Sequence, residues 1–233
     1  MNFAGVQSVT IPEGDVKIIA IGGVTVWMKP NPLPYDAEVD YVESAGAQYV
    51  DTGLQLTSAD RVECRFALTD ISGTTEQING QTGTDIRFAF GKAGSNVNFY
   101  AGLGNLNYWT TLPLDTNAHD LALDAPNKAV TIDSATWPVS WAAFATPTGT
   151  AGWSLFARTA IMSGAMSTYA KERIYSAKIY TSGVLVRDFV PVRVGTAGYL
   201  YDRANPTGGP LGNGLYGSAT ATPLVAGPDK NGV

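Results

Sequence analysis

The feature that most restricts the fold is a pair of β-rich runs in the last third of the chain. Residues 174–180 and 184–190 are rich in Ile, Val, Tyr and Leu, and only the tripeptide Thr-Ser-Gly at 181–183 separates them. Glycine readily adopts the positive φ that a tight hairpin turn needs. The pattern therefore predicts a β-hairpin with a three-residue loop.

The loop length sets the register of this hairpin. A three-residue loop puts Tyr180 opposite Val184 and leaves Lys178 diagonal to Asp188 on one face. A diagonal pair of opposite charges contributes about 0.2–1 kcal/mol, which favours a register without determining a fold.

From residue 36 onward, short β-rich runs recur at intervals of 8–12 residues, the pattern of a β-sandwich. No segment sustains a helical period of 3.6 residues, so we expect an all-β chain. The predicted strands are residues 39–43, 47–51, 61–69, 85–91, 96–102, 117–124, 128–133, 153–158, 173–180, 184–192, 198–203 and 214–225.

Four segments together carry a resemblance to a known family. They are residues 41–53, the hairpin region 174–191, residues 199–203 and residues 224–228. These motifs resemble the concanavalin-like (laminin-G-like) jelly-roll module of virion and fibre proteins of gut bacteriophages and prophages. The resemblance covers roughly residues 38–230. It implies a concanavalin-like jelly-roll β-sandwich in a virion that is extracellular after host lysis. It supplies no catalytic motif to carry over.

The composition excludes several classes of function. Charged residues are 15% of the chain, against about 25% in average proteins, which suits an extracellular or virion protein. The net charge of −5 with scattered cations argues against nucleic-acid binding, which needs a concentrated basic face. We expect no membrane span, because no run of about 18 apolar residues occurs, and no secretory signal, because the first seven residues lack its basic and apolar regions.

The N-terminal segment reads as a separate small unit. Residues 1–29 predict a β arm, a meander with strands at 6–11, 16–21 and 24–28, and the proline-rich residues 30–36 predict a stiff linker to a domain at 37–233. So small a meander has too little core to stand alone. It either packs on the larger domain or is buried against sister subunits or other virion proteins.

The second alternative leads to a prediction of assembly. We expect a homo-oligomer, a trimer as in many phage fibres, with Trp27 at or near the subunit contact. The arm would also bind other virion proteins.

The residue types that bind metals and cofactors are scarce. The single cysteine, Cys64, excludes an intramolecular disulfide and lies on one predicted strand face with Val62, Phe66 and Leu68, as an inert core thiol. His119 is the only histidine, so a zinc site or a histidine-based triad has little to build on. The Asp and Asn residues show no calcium-loop spacing. We predict neither a metal site nor a cofactor.

Two short motifs match patterns found in enzymes. Glu38, Asp40 and Glu43 form E-x-D-x-x-E, which resembles the catalytic strand of laminarinase-like glycoside hydrolases. Here it opens the domain beside a proline linker, where the same residues would keep an edge strand soluble. Residues 212–217 spell G-x-G-x-x-G, but no helix pattern follows, which indicates a glycine-rich connection and not a dinucleotide site.

The aromatic residues are the best sequence candidates for a ligand site. An aromatic ring stacks on the apolar face of a pyranose, while amides bind its hydroxyls. Residues 104–113 carry no charge and are expected to form a surface connection between strands. The alternative is that these rings fill the core, as expected of Trp153. The predicted carbohydrate-binding residues are Tyr100, Asn105, Asn107, Tyr108, Trp109, Trp137 and Trp141.

These features predict a non-enzymatic virion protein, a fibre or capsid appendage whose jelly roll adheres to host-surface or mucus glycans. A purely structural capsid decoration or head-fibre subunit without a ligand is the first alternative. A glycoside hydrolase using residues 38–43 is the second.

Overall fold

The computed structural model describes residues 18–21, 24–28, 33–72, 77–82, 87–93, 96–102, 107–113, 115–138, 152–160 and 163–230. The chain divides into two compact units, residues 1–33 and 34–233. In the first unit, strands Ile18–Ile21 (β1) and Val24–Met28 (β2) pair antiparallel, with Ile19 opposite Trp27. Two strands of the predicted meander are thereby confirmed. The predicted strand 6–11 lies outside the described residues.

The second unit is all-β, and the residues described in it contain no helix. Most of its strands belong to one large antiparallel sheet. These strands are Ala37–Glu38 (β3), Val42–Ala45 (β4), Asp60–Leu68 (β6), His119–Asp124 (β11), Ala129–Ile132 (β12), Ala135–Pro138 (β13), Lys171–Thr181 (β17), Val184–Val194 (β18), Ala197–Asp202 (β19), Leu215–Tyr216 (β20) and Leu224–Ala226 (β21).

A second sheet and a short pair complete this unit. The strands of the second sheet are Gln77–Thr82 (β7), Arg87–Ala93 (β8), Asn96–Gly102 (β9), Asn107–Pro113 (β10), Arg158–Ala160 (β15) and Met166–Ser167 (β16). Their spatial order is β10-β9-β8-β7-β15-β16, and all neighbours are antiparallel except β7 and β15. The short pair consists of Val50–Asp51 (β5) and Ser154–Leu155 (β14).

The large sheet closes on itself at one end. Strands β17, β4, β21, β19 and β18 each hydrogen-bond to the next, and β18 bonds back to β17, which forms a small barrel. The closure needs a glycine on β19. A Cβ on Gly198 would lie 2.9 Å from Cγ1 of Val42 and 3.0 Å from the carbonyl oxygen of Val225.

The two larger sheets share one apolar core. Phe66 on β6 packs against Phe90 on β8 with ring centroids 5.1 Å apart, and Phe90 lies 6.2 Å from Trp153. All three rings are buried, as is Cys64, which lies on the same face of β6 as Phe66. The predicted core roles of Trp153 and Cys64 are confirmed. Burial raises the pKa of the Cys64 thiol well above its ordinary value, and Glu172 and Asp120 raise it further.

The β17–β18 hairpin is confirmed, but its predicted register is wrong. Thr181 pairs with Val184, so the loop has only two residues, Ser182 and Gly183, with φ of 50° and 80°. Positive φ at both positions is the signature of a type I′ turn, which matches the twist of the flanking strands.

A bulge after Ile179 then resets the pairing of this hairpin. As a result, Lys178 lies directly opposite Asp188 and not diagonal to it. A bulge adds one residue to one strand of the pair, and the alternation of residue types along the chain does not reveal it.

Several predicted strand bounds differ from those observed. Strands β3, β7, β13 and β16 were not predicted, and the predicted strand 214–225 is two short strands, β20 and β21. The predicted surface connection 104–113 is also wrong in part, because Asn107–Pro113 is a strand. Nowhere in the described ranges is there a helix long and apolar enough to cross a membrane.

The end of the predicted linker is part of the second unit. The amide of Asp36 donates to the carbonyl oxygen of Arg193 at 2.9 Å, and the ring of Tyr35 packs 5.0 Å from that of Tyr201. An extended proline linker would leave both residues without such contacts.

Candidate functional site

Four of the predicted carbohydrate-binding residues lie on the antiparallel pair β9–β10. Asn107 pairs with Tyr100, Tyr108 with Phe99, and Trp109 with Asn98. Opposite residues of an antiparallel pair share a face, and successive residues alternate faces. The register therefore assigns positions 100, 107 and 109 to one face of the sheet and position 108 to the other.

The neighbouring strand shows which of these faces is turned to the core. Phe90 on β8 is fully buried against the large sheet, and its partner on β9 is Phe99. Position 108 pairs with Phe99 and so lies on the core face. Positions 100, 107 and 109 lie on the opposite face, at the edge of the sheet that β10 forms.

The other predicted sugar-binding residues are more scattered. Trp137 lies on β13 opposite Val130. Asn105 and Trp141 lie outside the described residues.

Both glutamates of the E-x-D-x-x-E motif form an ion pair with an arginine. Glu38 on β3 accepts from Nη2 of Arg203 at 2.5 Å, and Glu43 on β4 accepts from Nε of Arg173 at 2.7 Å. Asp40 is exposed between the two strands. Each of the two glutamates is therefore paired with a different arginine.

His119 is held between two carboxylates. Nε2 lies 2.9 Å from Asp115 and Nδ1 lies 3.0 Å from Asp133. Burial alone would lower the pKa of His119, but the hydrogen bonds that it donates to Asp133 and Asp115 outweigh this effect and raise the pKa above its ordinary value. Because carboxylates only accept, both bonds form together only with the imidazolium ion. Within the described ranges, no group of three or more His, Cys, Asp or Glu has an arrangement suited to a metal ion.

The outer face of the large sheet carries a shallow depression of about 280 Å³ lined by Glu63, Arg65, Asp120 and Lys178. Its charges are largely paired within the protein. Arg65 lies 2.6 Å from Asp120, and Glu63 lies 2.5 Å from Arg61. Exposed pairs of this kind contribute little to stability and leave few groups for a ligand.

A larger pocket of about 480 Å³ lies between β5, β18 and the glycine-rich segment 203–219, which includes β20. We call it the Arg187 pocket. Its volume falls within the range of about 300–1,000 Å³ that is common for small-molecule sites. The lining residues that define it are Asp51, Arg187, Asn205, Leu211, Tyr216 and Ser218.

Arg187 is anchored on one side of this pocket. Its Nε donates to the carbonyl oxygen of Thr52 at 3.2 Å, and its Nη1 donates to that of Val186 at 2.8 Å. Its Nε also lies 3.5 Å from Oδ2 of Asp202, which is fully buried, while the Arg187 side chain is 14% exposed. Backbone carbonyls and a buried counter-ion fix the guanidinium in one position.

The loop over the pocket is also held in place. The amide of Gly214 donates to Gly208 at 2.6 Å, that of Asp202 to Gly214 at 2.9 Å, and that of Ala219 to Tyr49 at 2.8 Å. These backbone bonds preform the pocket, which reduces the ordering cost of binding.

Four polar groups of the pocket have no hydrogen-bond partner among the described residues. They are the hydroxyl of Tyr216, Oδ2 of Asp51, the amide of Asn205 and Nη2 of Arg187. Tyr216 is only 3% exposed, and burial raises the pKa of its hydroxyl, which stays neutral. Tyr216 lines the pocket, so its hydroxyl can pair there with a ligand atom or water.

A second set of unpaired polar atoms lies in the core. Both carboxyl oxygens of Glu172 and Nδ2 of Asn79 lack a hydrogen-bond partner within the described part of the chain, and both residues are fully buried. Burial raises the pKa of Glu172 to about 8, although Asn79 is close enough to lower it slightly. Glu172 is therefore a neutral acid at neutral pH.

Sequence reasoning missed the Arg187 pocket. Its glycine-rich motif at 212–217 was recognised as a connection, but Asp51, Arg187 and Asn205 are far apart in the chain and form no motif. The one available signal was the clustering of glycine and proline between residues 205 and 217, which is typical of a functional surface loop.

No protein-family model matches the chain, and no curated protein matches it either.

Proposed function

We propose that the chain is a non-enzymatic bacteriophage virion protein, a fibre or capsid appendage that adheres to host-surface or mucus glycans. Its fold would be a concanavalin-like jelly-roll sandwich in which one end of the large sheet closes to form the small barrel. Two mainly antiparallel sheets that share the core around Phe66 and Phe90 support a sandwich. The resemblance of residues 38–230 to phage modules supports the virion setting.

One observation supports the adhesive role best. Tyr100, Asn107 and Trp109 have register positions on the same face of the β9–β10 edge, opposite the core. An aromatic and amide row at a sheet edge suits a neutral sugar, which needs both a flat apolar contact and hydrogen bonds. Contacts of this kind are weak when single, so multivalency in an oligomer would raise the avidity.

The register makes a prediction that separates the two neighbouring rings. Trp109→Ala removes binding to a bacterial-glycan array and lowers the free energy of unfolding by less than about 1 kcal/mol. Tyr108→Ala, the matched control on the core face, costs about 3–5 kcal/mol, as large-to-small core changes do. Array binding and urea unfolding of both variants test this. A cost above about 3 kcal/mol for Trp109→Ala would mean that this ring is core, and the adhesive site would have to be abandoned.

The arm gives a separate prediction. Deleting residues 1–33, the whole first unit, is expected to leave a folded second unit of lower oligomeric state, because the arm would hold the subunits together through Trp27. Light scattering of the full-length and shortened chains measures the change. A full-length monomer, or an oligomer that survives the deletion, would contradict the proposed trimer.

Each of the two alternative functions predicts a different experimental result. A capsid decoration without a ligand would give no array binding at any density. A glycoside hydrolase would release reducing ends from array glycans, and this activity would disappear in Glu43→Gln.

A further inference from the structure

We propose that the Arg187 pocket binds the terminal residue of a neutral saccharide, as a site separate from the β9–β10 edge. The inference takes from the proposed function only the expectation that the protein meets glycans. Everything else in it follows from the residues that line this pocket.

The unpaired groups of the pocket match hydroxyl chemistry. A sugar hydroxyl both donates and accepts, so it pairs best with a mixture of donors and acceptors. Nη2 of Arg187 donates, Oδ2 of Asp51 accepts, and the amide of Asn205 and the hydroxyl of Tyr216 do both. None of these atoms has a partner among the described residues to give up, so a ligand would bring hydrogen bonds without breaking any.

The apolar part of the lining provides the other half of a sugar site. Leu211 is 59% exposed on the rim, and Pro210 lies next to it in the lining. The Tyr216 ring lies 5.9 Å from the Arg187 guanidinium. A pyranose has an apolar C–H face and a polar edge. The apolar lining can contact the C–H face while the polar groups of the pocket bind the hydroxyls of the edge.

The charges around the pocket favour a neutral ligand over an anionic one. Arg187 is the one cation in the described lining, and it already faces the buried carboxylate of Asp202 at 3.5 Å. Asp51 adds a second carboxylate to the wall. A phosphate, sulfate or sialic acid would therefore meet more negative than positive charge.

Asn205 is the residue with which to test the pocket. Its side chain makes no hydrogen bond to the described protein, so Asn205→Ala should leave the fold intact while removing a contact to the ligand. Thr207→Ala is the matched control, because Thr207 is exposed on the same loop and does not line the pocket. Leu211→Ser tests the apolar rim independently.

The experiment is ligand-observed NMR on the full-length protein. The probes are the methyl glycosides of glucose, galactose, mannose and N-acetylglucosamine, with N-acetylneuraminic acid and inorganic phosphate as anionic probes. We expect at least one neutral probe to bind near millimolar Kd. Asn205→Ala should weaken that binding about tenfold, Leu211→Ser should weaken it several-fold, and Thr207→Ala should leave it unchanged.

The other outcomes overturn the inference. Absence of binding by every neutral probe, binding that Asn205→Ala does not weaken, or a preference for the anionic probes would each exclude a neutral saccharide here. Loss of binding in Trp109→Ala alone would assign the sugar to the β9–β10 edge. That result supports the proposed function and removes the pocket, whereas the reverse pattern keeps the pocket and removes the edge site.

Discussion

Replacing Glu172 with glutamine is expected to stabilise the protein at neutral pH, by about 2 kcal/mol at pH 7. The Glu172 carboxyl is fully buried and lacks a hydrogen-bond partner among the described residues, and burial raises its pKa to about 8. An unfolded chain ionises the same group near pH 4.3. At neutral pH the folded protein must therefore keep a proton that the unfolded chain releases.

The sign of the pH dependence follows from these two values. The favourable contribution of protonated Glu172 is complete below about pH 4.3, is lost as the pH rises towards 8, and changes no further above that. By pH 7 the loss is about 3–4 kcal/mol. Glutamine has the same shape but never ionises, so Glu172→Gln avoids this loss. An unpaired buried amide costs about 1–2 kcal/mol, which reduces the stabilisation of the variant by that amount.

The measurement is urea unfolding of both proteins between about pH 4 and pH 9. The unfolding free energy of Glu172→Gln minus that of the wild type should be near zero or slightly negative at the acid end. This difference should increase up to about pH 8. Glu63→Gln is the matched control, since Glu63 is partly exposed and paired with Arg61. It should change stability by less than about 1 kcal/mol. Parallel stability curves for wild type and Glu172→Gln would show that Glu172 does not ionise with a raised pKa.

The same buried region explains why part of the fold escaped sequence reasoning. The β17–β18 hairpin was predictable because its apolar residues and its turn agree with one another. Strand β7 was not, because its inward positions carry Gln77, Asn79 and Gln81, all buried. Alternation normally puts polar residues outside, so this strand reads as a loop.

Gln77 and Gln81 are satisfied by specific hydrogen bonds to backbone groups. Gln81 accepts from the amide of Leu56 at 3.0 Å and donates to the carbonyl oxygen of the same residue at 2.7 Å. Gln77 accepts from the amide of Lys171 at 2.7 Å and donates to the carbonyl oxygen of Asp70 at 2.8 Å. Such bonds join segments distant in the chain and leave no trace in a local pattern.

The candidate sites were predictable to different degrees for a similar reason. Tyr100, Asn107 and Trp109 were found because aromatic and amide residues are neighbours in sequence, and the register then separated them from Tyr108. Asp51, Arg187 and Asn205 line one pocket, where the Arg187 side chain bonds to the carbonyl oxygen of Thr52, the residue after β5. A site built by tertiary contact has to be read from coordinates.

Removing the carboxylate of Asp202 is expected to lower the free energy of unfolding by about 3–5 kcal/mol. Asp202 is fully buried at the end of β19. Its Oδ1 accepts from the amides of Asp188 at 2.9 Å and Ala204 at 3.0 Å, and its Oδ2 lies 3.5 Å from Nε of Arg187. Asp202→Ala would orphan two amides and leave the guanidinium without its nearest counter-ion.

The loss of stability should be accompanied by a loss of the Arg187 pocket, because Arg187 forms one wall and Asp202 holds it there. Asp202→Asn keeps the acceptor for both amides but not the charge, so it should cost less and still weaken neutral-saccharide binding. Asp188→Ala is the control, since Asp188 lies opposite Lys178 on the sheet and its amide remains; it should change stability by less than about 1 kcal/mol. Urea unfolding and sugar titration of the three variants measure both effects. If Asp202→Ala costs less than about 1 kcal/mol, the buried carboxylate is not what fixes Arg187, and the pocket owes its shape to the glycine-rich loop alone.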